Sequence, residues 1–272
     1  MKCRMRDVRK AYRHYVERGK GVRRGRAEHG EEKKTGLARA LSKMGFCSRS
    51  NAAEMIRAGR VKLNGAVRRD AETPVRVGRD RIEVDGHEVK AAEKVYWMLN
   101  KPRGIVTTAE DEQGRETVYE LLPAGVPWVG PVGRLDKASE GLLLMTNDTE
   151  WAAGVTAPES HLDKTYHVQI GTADDSLLKR LETGVTDREE VLRARRAKLL
   201  RAGEKNCWLE IVLDEGKNRQ IRRMLEACGV EVLRLIRIAI GPLLLGDLAK
   251  GQARRLTRNE IKSLDLAKRR RG

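Results

Sequence analysis

Apolar residues first recur at helical spacing from Gly36 onward, at Leu37, Leu41 and Met44, and Gly45 ends that run. Ser48 stands where it can cap a second short helix containing Ala52, Met55 and Ile56. The period then falls to two. Val61 and Leu63 lead into Asn64-Gly65, and Ile82 to Val84 lead into Asp85-Gly86, each reading as a strand that enters a tight turn. Two short helices followed by strands form a unit of about 55 residues, the size of a small domain. Ala91 to Glu93 reads as a linker.

Beyond the linker, Tyr96, Met98 and Asn100 alternate with Val95, Trp97 and Leu99, and Lys101-Pro102-Arg103-Gly104 turns the chain. Further strands are expected over Leu142 to Met145, Tyr166 to Ile170, Arg196 to Leu200, Trp208 to Leu213 and Val232 to Ile240. Helices are expected to begin near Thr117, Asn147, Ser176, Asn218 and Thr257, and both Asn147-Asp148-Thr149-Glu150 and Thr257-Arg258-Asn259-Glu260 have capping-box spacing. Strands outnumber helices, and the connections are of hairpin size. The expected fold class is therefore α+β, with a mostly antiparallel sheet.

The 272 residues carry 56 Lys and Arg against 39 Asp and Glu, a net charge of +17 that points to a polyanionic partner. Residues 1–34 hold 13 of the basic residues against 5 acidic ones and no sustained apolar face, which predicts an arm that grips phosphates. Lys268-Arg269-Arg270-Arg271 is a second basic end. No apolar run reaches the roughly 18 residues of a membrane span, and Met1 to Gly30 lacks a signal-peptide pattern, so no membrane and a cytoplasmic location are expected. Cys3, Cys47, Cys207 and Cys228 have neither metal nor redox spacing and are expected as free thiols, and the five histidines are scattered. No metal site and no cofactor are expected.

The stretch from Gly133 to Asp148, Gly-Arg-Leu-Asp-Lys-Ala-Ser-Glu-Gly-Leu-Leu-Leu-Met-Thr-Asn-Asp, sets one carboxylate, Asp136, in a loop after a glycine and just before an apolar strand. Such a loop can present Asp136 in a cleft while the strand anchors it. Lys164-Thr165-Tyr166 opens another strand. Glu215-Gly216-Lys217-Asn218-Arg219-Gln220-Ile221-Arg222-Arg223-Met224 combines an apolar helical stripe (Ile221, Met224, Leu225 and Cys228) with a run of cations.

These three segments, in this order, resemble the catalytic motifs of pseudouridine synthases, in the branch acting on small- and large-subunit ribosomal RNA. The resemblance runs from about Gly36 to Leu264 and includes Asn100-Lys101-Pro102 and Gly241-Pro242-Leu243. It implies Asp136 as the catalytic residue, Tyr166 against the target base and Arg222 paired with Asp136. Arg134, Lys164, Lys217, Arg219 and Arg223 are expected to face phosphates. Gly45-Phe46-Cys47-Ser48-Arg49 and Gly59-Arg60-Val61-Lys62-Leu63-Asn64-Gly65 resemble the RNA-binding module of ribosomal small-subunit protein four, which implies an RNA-facing surface of Arg39, Arg49, Arg57, Arg60 and Lys62.

The expected organisation is a basic extension over 1–34, a small RNA-binding domain over 35–90, a catalytic domain over 94–265 and a basic tail over 266–272. The implied activity is isomerisation of a specific uridine in ribosomal RNA, in the large-subunit RNA before the small-subunit one. The partner is that RNA or an assembly particle containing it, with the protein a monomer. The alternatives are a synthase acting on tRNA and a non-catalytic RNA-binding assembly factor. Intact Asp136, Tyr166 and Arg222 argue against the second.

Overall fold

The computed structural model of the chain describes residues 34–109, 113–160, 162–172 and 175–269, with side chains omitted at 175 and at 266–269. The basic extension, apart from Lys34, lies outside the described residues, as do Cys3 and the side chains of the basic tail. The described residues divide into two compact units, one of residues 34–95 with 122–130 and 146–149, the other made up of those in 96–121, 131–145 and 150–269.

In the first unit α1 (Leu37–Lys43) and α2 (Arg49–Arg57) stand beside a four-stranded sheet of β2 (Val61–Leu63), β3 (Ala66–Arg68), β5 (Ile82–Val84) and β6 (His87–Glu88), in the order β3-β2-β5-β6. β1 (Thr35–Gly36) and β4 (Pro74–Val75) form a separate pair. Ser48 caps α2 as expected: its Oγ accepts from the Asn51 N–H at 3.0 Å. Asn64-Gly65 and Asp85-Gly86 both have positive φ throughout, the mirror-image turn that matches the twist of a hairpin. Leu37, Leu41, Ala52, Ile56, Val61 and Ile82 fill the core.

Asn147 departs from expectation. Instead of capping the next helix, its carboxamide accepts from the Val95 N–H at 2.9 Å and donates to the Glu93 carbonyl at 2.9 Å, tying down the end of the linker.

The second unit is built on a sheet running β13-β14-β10-β15-β9-β7-β17, with β8 pairing with β9 and β16 with β15 off that path. Its strands are β7 (Tyr96–Lys101), β8 (Gly130–Val132), β9 (Glu140–Thr146), β10 (Lys164–Ile170), β13 (Arg196–Ala202), β14 (Cys207–Leu213), β15 (Val232–Ile240), β16 (Leu243–Leu244) and β17 (Ala253–Arg255). The pairs β10–β14, β10–β15, β13–β14, β15–β16 and β7–β17 are antiparallel, whereas β9 and β15 are parallel. The fold is α+β and mostly antiparallel, as the sequence predicts. β9 is buried along its whole length. A central strand covered on both faces shows no alternation, which is why it reads as a continuous apolar run.

The helices here are α3 (Thr149–Thr156), α4 (Asp175–Thr183), α5 (Gln220–Ala227) and α6 (Arg258–Arg269). One core joins α4 and α5 to β10 and β14 through Leu177, Leu181, Leu209, Ile211, Ile221 and Met224. A second gathers Met98, Leu142, Leu144, Trp151, Ile240 and Leu264. Thr257 and Glu260 form the expected capping box on α6, the Thr257 N–H donating to Glu260 Oε2 at 2.8 Å and the Glu260 N–H to Thr257 Oγ1 at 3.2 Å. Near Thr117 the structure has only a 3-10 turn, Val118–Leu121. The hairpin of β11 (Val185–Asp187) and β12 (Glu190–Leu192) was too short and polar to announce itself in the sequence.

Candidate active site

The loop before β9 is held by its carbonyls. Thr107 Oγ1 donates to the Leu135 carbonyl at 2.8 Å, Lys101 Nζ to that of Asp136 at 3.1 Å, and the Gly104 N–H to that of Lys137 at 2.8 Å. Arg222 Nη2 donates to the Ala138 carbonyl at 3.1 Å, and Lys101 Nζ again to that of Ser139 at 2.9 Å. The Ser139 N–H also returns to the Asp136 carbonyl at 2.9 Å, closing a turn around the aspartate. Every carbonyl from Leu135 to Ser139 is therefore engaged. The carboxylate of half-buried Asp136 accepts no hydrogen bond among the described residues. A backbone fixed in this way presents a rigid carboxylate whose own acceptor sites stay open.

Lys101 is the centre of this arrangement, a role that sequence reading missed beyond noting its place at the start of the domain. It is 0% exposed, and its third bond goes to the Pro102 carbonyl at 3.1 Å. An ammonium has three donors, and all three are used. Burial lowers its pKa from 10.5 to about 8, against the opposing pull of the Asp136 and Glu140 charges. A lysine at the end of a strand as apolar as Tyr96 to Leu99 must find acceptors inside the fold, and that is the signal that could have revealed it.

Arg222 requires a correction. The fork expected between its guanidinium and the Asp136 carboxylate is absent from the ion pairs and hydrogen bonds of the described residues. Its Nη2 instead binds the Ala138 carbonyl, its Nη1 approaches the Val232 carbonyl at 3.5 Å, and its buried Nε has no partner. The two residues still interact at longer range. Burial, then the charge of Arg219, push the Arg222 pKa down, and the negative charge of Asp136 works in the opposite direction.

Glu140, two residues past Ala138, is almost wholly buried. Arg234 grips it with two hydrogen bonds, of 2.7 and 3.0 Å, and Lys250 lies 2.6 Å away, so its pKa falls to about 2 chiefly through the Arg234 bonds. Next to it Gly141 has φ +100, and a Cβ there would lie 2.2 Å from the Arg237 carbonyl oxygen. Only glycine allows β9 and β15 to approach so closely.

Tyr166 lies on β10 opposite Ile211 on one side and Arg237 on the other, half-buried and packed against the core under α4 and α5. Arg237 is 6% exposed, donates from Nε to the Leu142 carbonyl at 2.7 Å and leaves its buried Nη2 without a partner. Half-buried Lys164, on the same strand as Tyr166, has a lowered pKa, through burial first and the charge of Arg237 second.

Apart from half-buried Lys164, the cations expected to face RNA divide into two groups. Arg39, Arg49, Arg57, Lys62, Arg134 and Arg219 are exposed and have no acidic partner among the described residues. Arg60 is held by both oxygens of Asp85, with Nε at 2.9 Å. Arg223 donates to Asp187 at 2.6 Å and Glu190 at 2.9 Å, tying α5 to the β11-β12 hairpin. Lys217 sits 3.2 Å from both Glu190 and Glu215. Arg60, Arg223 and Lys217 thus have acidic partners within the protein that partly compensate their charge. Arg219 adopts φ 49 as it enters α5, a left-handed backbone uncommon outside glycine.

The profile of the RNA pseudouridylate synthase family matches residues 95–227, and that of the S4 domain matches residues 35–82. A Bacillus subtilis protein named ribosomal large subunit pseudouridine synthase B is 39% identical over 231 residues, covering 84% of this chain and 94% of that one. The chain belongs to the RNA pseudouridylate synthase family. An Aquifex aeolicus RNA pseudouridine synthase is 40% identical over 226 residues, covering 82% of this chain and 91% of its own length. A crystal structure of a pseudouridylate synthase superposes with a TM-score of 0.60 at 29% identity, over 85% of this chain and 99% of that one. This pseudouridylate synthase thus combines the family's fold with an amino-terminal S4 domain, an RNA-binding module. Among the described residues, no helix is long and apolar enough to cross a membrane.

Proposed function

We propose that this enzyme isomerises a specific uridine of ribosomal RNA, in the large subunit rather than the small, with Asp136 as the catalytic carboxylate. The observation that carries this reading is the loop whose carbonyls from Leu135 to Ser139 are all engaged while the Asp136 carboxylate stays open. The large-subunit reading is supported by the name of the Bacillus subtilis relative.

The reaction breaks the bond from ribose to the uracil nitrogen, rotates the base and rejoins it through carbon. An ionised Asp136 serves either of two routes, attack as a nucleophile or removal of a ribose proton. Tyr166 stacks on the uracil, and its phenol supplies a hydrogen bond or proton. Arg222 acts by holding the loop and by its charge. The target must leave the RNA stack, which costs on the order of a few kcal/mol, offset by the exposed cations.

The domain limits that fit this reading are an RNA-binding domain over 35–90 and a catalytic domain over 94–265, between the basic extension and tail. The enzyme works as a cytoplasmic monomer on the RNA or on an assembly particle. Carbodiimide mapping of ribosomal RNA by primer extension, in cells with and without the gene, tests the proposal: one large-subunit pseudouridine stop should vanish with the gene. Loss of a tRNA stop alone would overturn it.

A further inference from the structure

On β14, Cys207, Leu209 and Ile211 point into the core under α4 and α5, so Trp208 and Glu210 face the other side of the sheet. Trp208 belongs to none of the hydrophobic clusters of the described residues. Its neighbours form one cross-strand row: Arg201 on β13 pairs with Trp208, Trp208 with Gln169 on β10, and Gln169 with Arg234 on β15. The guanidinium carbons of Arg201 and Arg234 lie 5.3 and 5.9 Å from the centre of the Trp208 ring. A cavity of about 350 Å³ opens here, lined by Trp208, both arginines, Gln169 and Asn206 among others.

Each lining group has a distinct capacity. Arg234 is fixed by its two bonds to Glu140, four residues after Asp136, so its position is set and its charge compensated. Arg201 is exposed and has no acidic partner among the described residues, which leaves its charge for an anion. Gln169 and Asn206 offer carboxamides, whose paired donor and acceptor match the edge of a nucleobase. An aromatic ring with guanidinium groups over it, one of them without an acidic partner among the described residues, is the equipment of a single-stranded nucleic-acid subsite. A structural tryptophan would be expected to join a core.

We infer that this cavity is a subsite for an unpaired nucleotide of the RNA substrate, its base stacked at Trp208 and its phosphate at Arg201. The inference rests on the reading that the substrate is RNA. It adds a contact outside the target uridine's own pocket, on strands whose Arg234 reaches back to the catalytic loop.

The test uses the full chain and two labelled probes of equal charge, a hexa-adenylate and the same hexamer without bases, with affinities measured by fluorescence anisotropy at fixed salt. The native protein should bind hexa-adenylate about tenfold more tightly than the abasic strand, within the range of base stacking on one aromatic ring. Trp208→Leu should abolish that preference, and Trp208→Phe should retain most of it. Arg201→Gln should weaken both probes alike. Thermal melting of each variant checks that it is folded, and the Phe variant decides the matter if the Leu variant does not fold. An unchanged preference in Trp208→Leu, no preference in the native protein, or a loss equal in the Phe and Leu variants would each overturn the inference. Isomerisation is not read here, so failure of the Asp136 assignment leaves this result standing, and the reverse also holds.

Discussion

Lys101 Nζ lies 3.1 Å from the carbonyl oxygen of Asp136 and 2.9 Å from that of Ser139, so one buried ammonium spans the turn that carries the Asp136 carboxylate. Removing it by Lys101→Met leaves these partly or wholly buried carbonyls without their donor, where each lost partner costs about 1–3 kcal/mol. The variant should melt at lower temperature and lose at least tenfold in single-turnover rate, with RNA affinity within a few fold of the native value. A native rate in a folded Lys101→Met protein would show that the loop holds its shape without the lysine.

The same residue gives a pH signature. Its folded pKa of about 8 lies below the ordinary 10.5, so between these values the unfolded chain binds more protons than the native one. Stability contributed through Lys101 therefore rises with pH across that window and is flat below it. Deprotonation also removes one of the three donors, so the single-turnover rate should fall as pH passes about 8 while this contribution to stability grows. The rate loss should be absent from Lys101→Met, and measuring both proteins from pH 7 to 10 checks it.

Arg222 binds the loop at the Ala138 carbonyl and is expected to act there rather than on RNA. Arg222→Met removes the donor to the Ala138 carbonyl and a positive charge that acts on Asp136. Turnover should fall severely, by roughly a hundredfold if the effect matches loss of one preorganised donor, with RNA affinity barely changed. Arg219→Ala should mainly weaken binding. Arg223→Ala should chiefly lower Tm, because its partners are Asp187 and Glu190.

The small domain should report phosphate contacts through salt. Replacing Arg39, Arg49, Arg57 and Lys62 together by Gln should make the plot of log affinity against log salt shallower by about 3, at roughly 0.7 to 0.9 per lost contact. Arg60→Gln alone should change the slope little, since Asp85 already neutralises that side chain. An unchanged slope in the fourfold variant would remove this surface from the RNA interface.

Much of the fold was legible because its strands and caps obey local rules. Ser48, Asn64-Gly65, Asp85-Gly86 and the Thr257-Glu260 box act within a few residues of themselves, and the structure shows each as expected. Asn147 has the same local spacing but serves the linker more than 50 residues earlier in the chain, a bond that spacing cannot reveal. Position in a motif located Asp136 and Arg222 together, yet could not separate a side-chain fork from a bond to the Ala138 carbonyl. The acidic partners of Arg60, Lys217 and Arg223 were hidden for the same reason, because they are close only after folding. The row of Arg201, Trp208, Gln169 and Arg234 depends on the register of four strands and was beyond sequence reading.

The most direct test of the central claim is Asp136→Asn, assayed for pseudouridine in large-subunit ribosomal RNA supplied to the purified protein. The substitution keeps the side chain's shape and removes its ionisable group, leaving the carbonyl bonds of the loop in place. Isomerisation should disappear, while RNA affinity stays within a few fold and Tm changes little. Pseudouridine formed at the native rate by this variant would contradict the account.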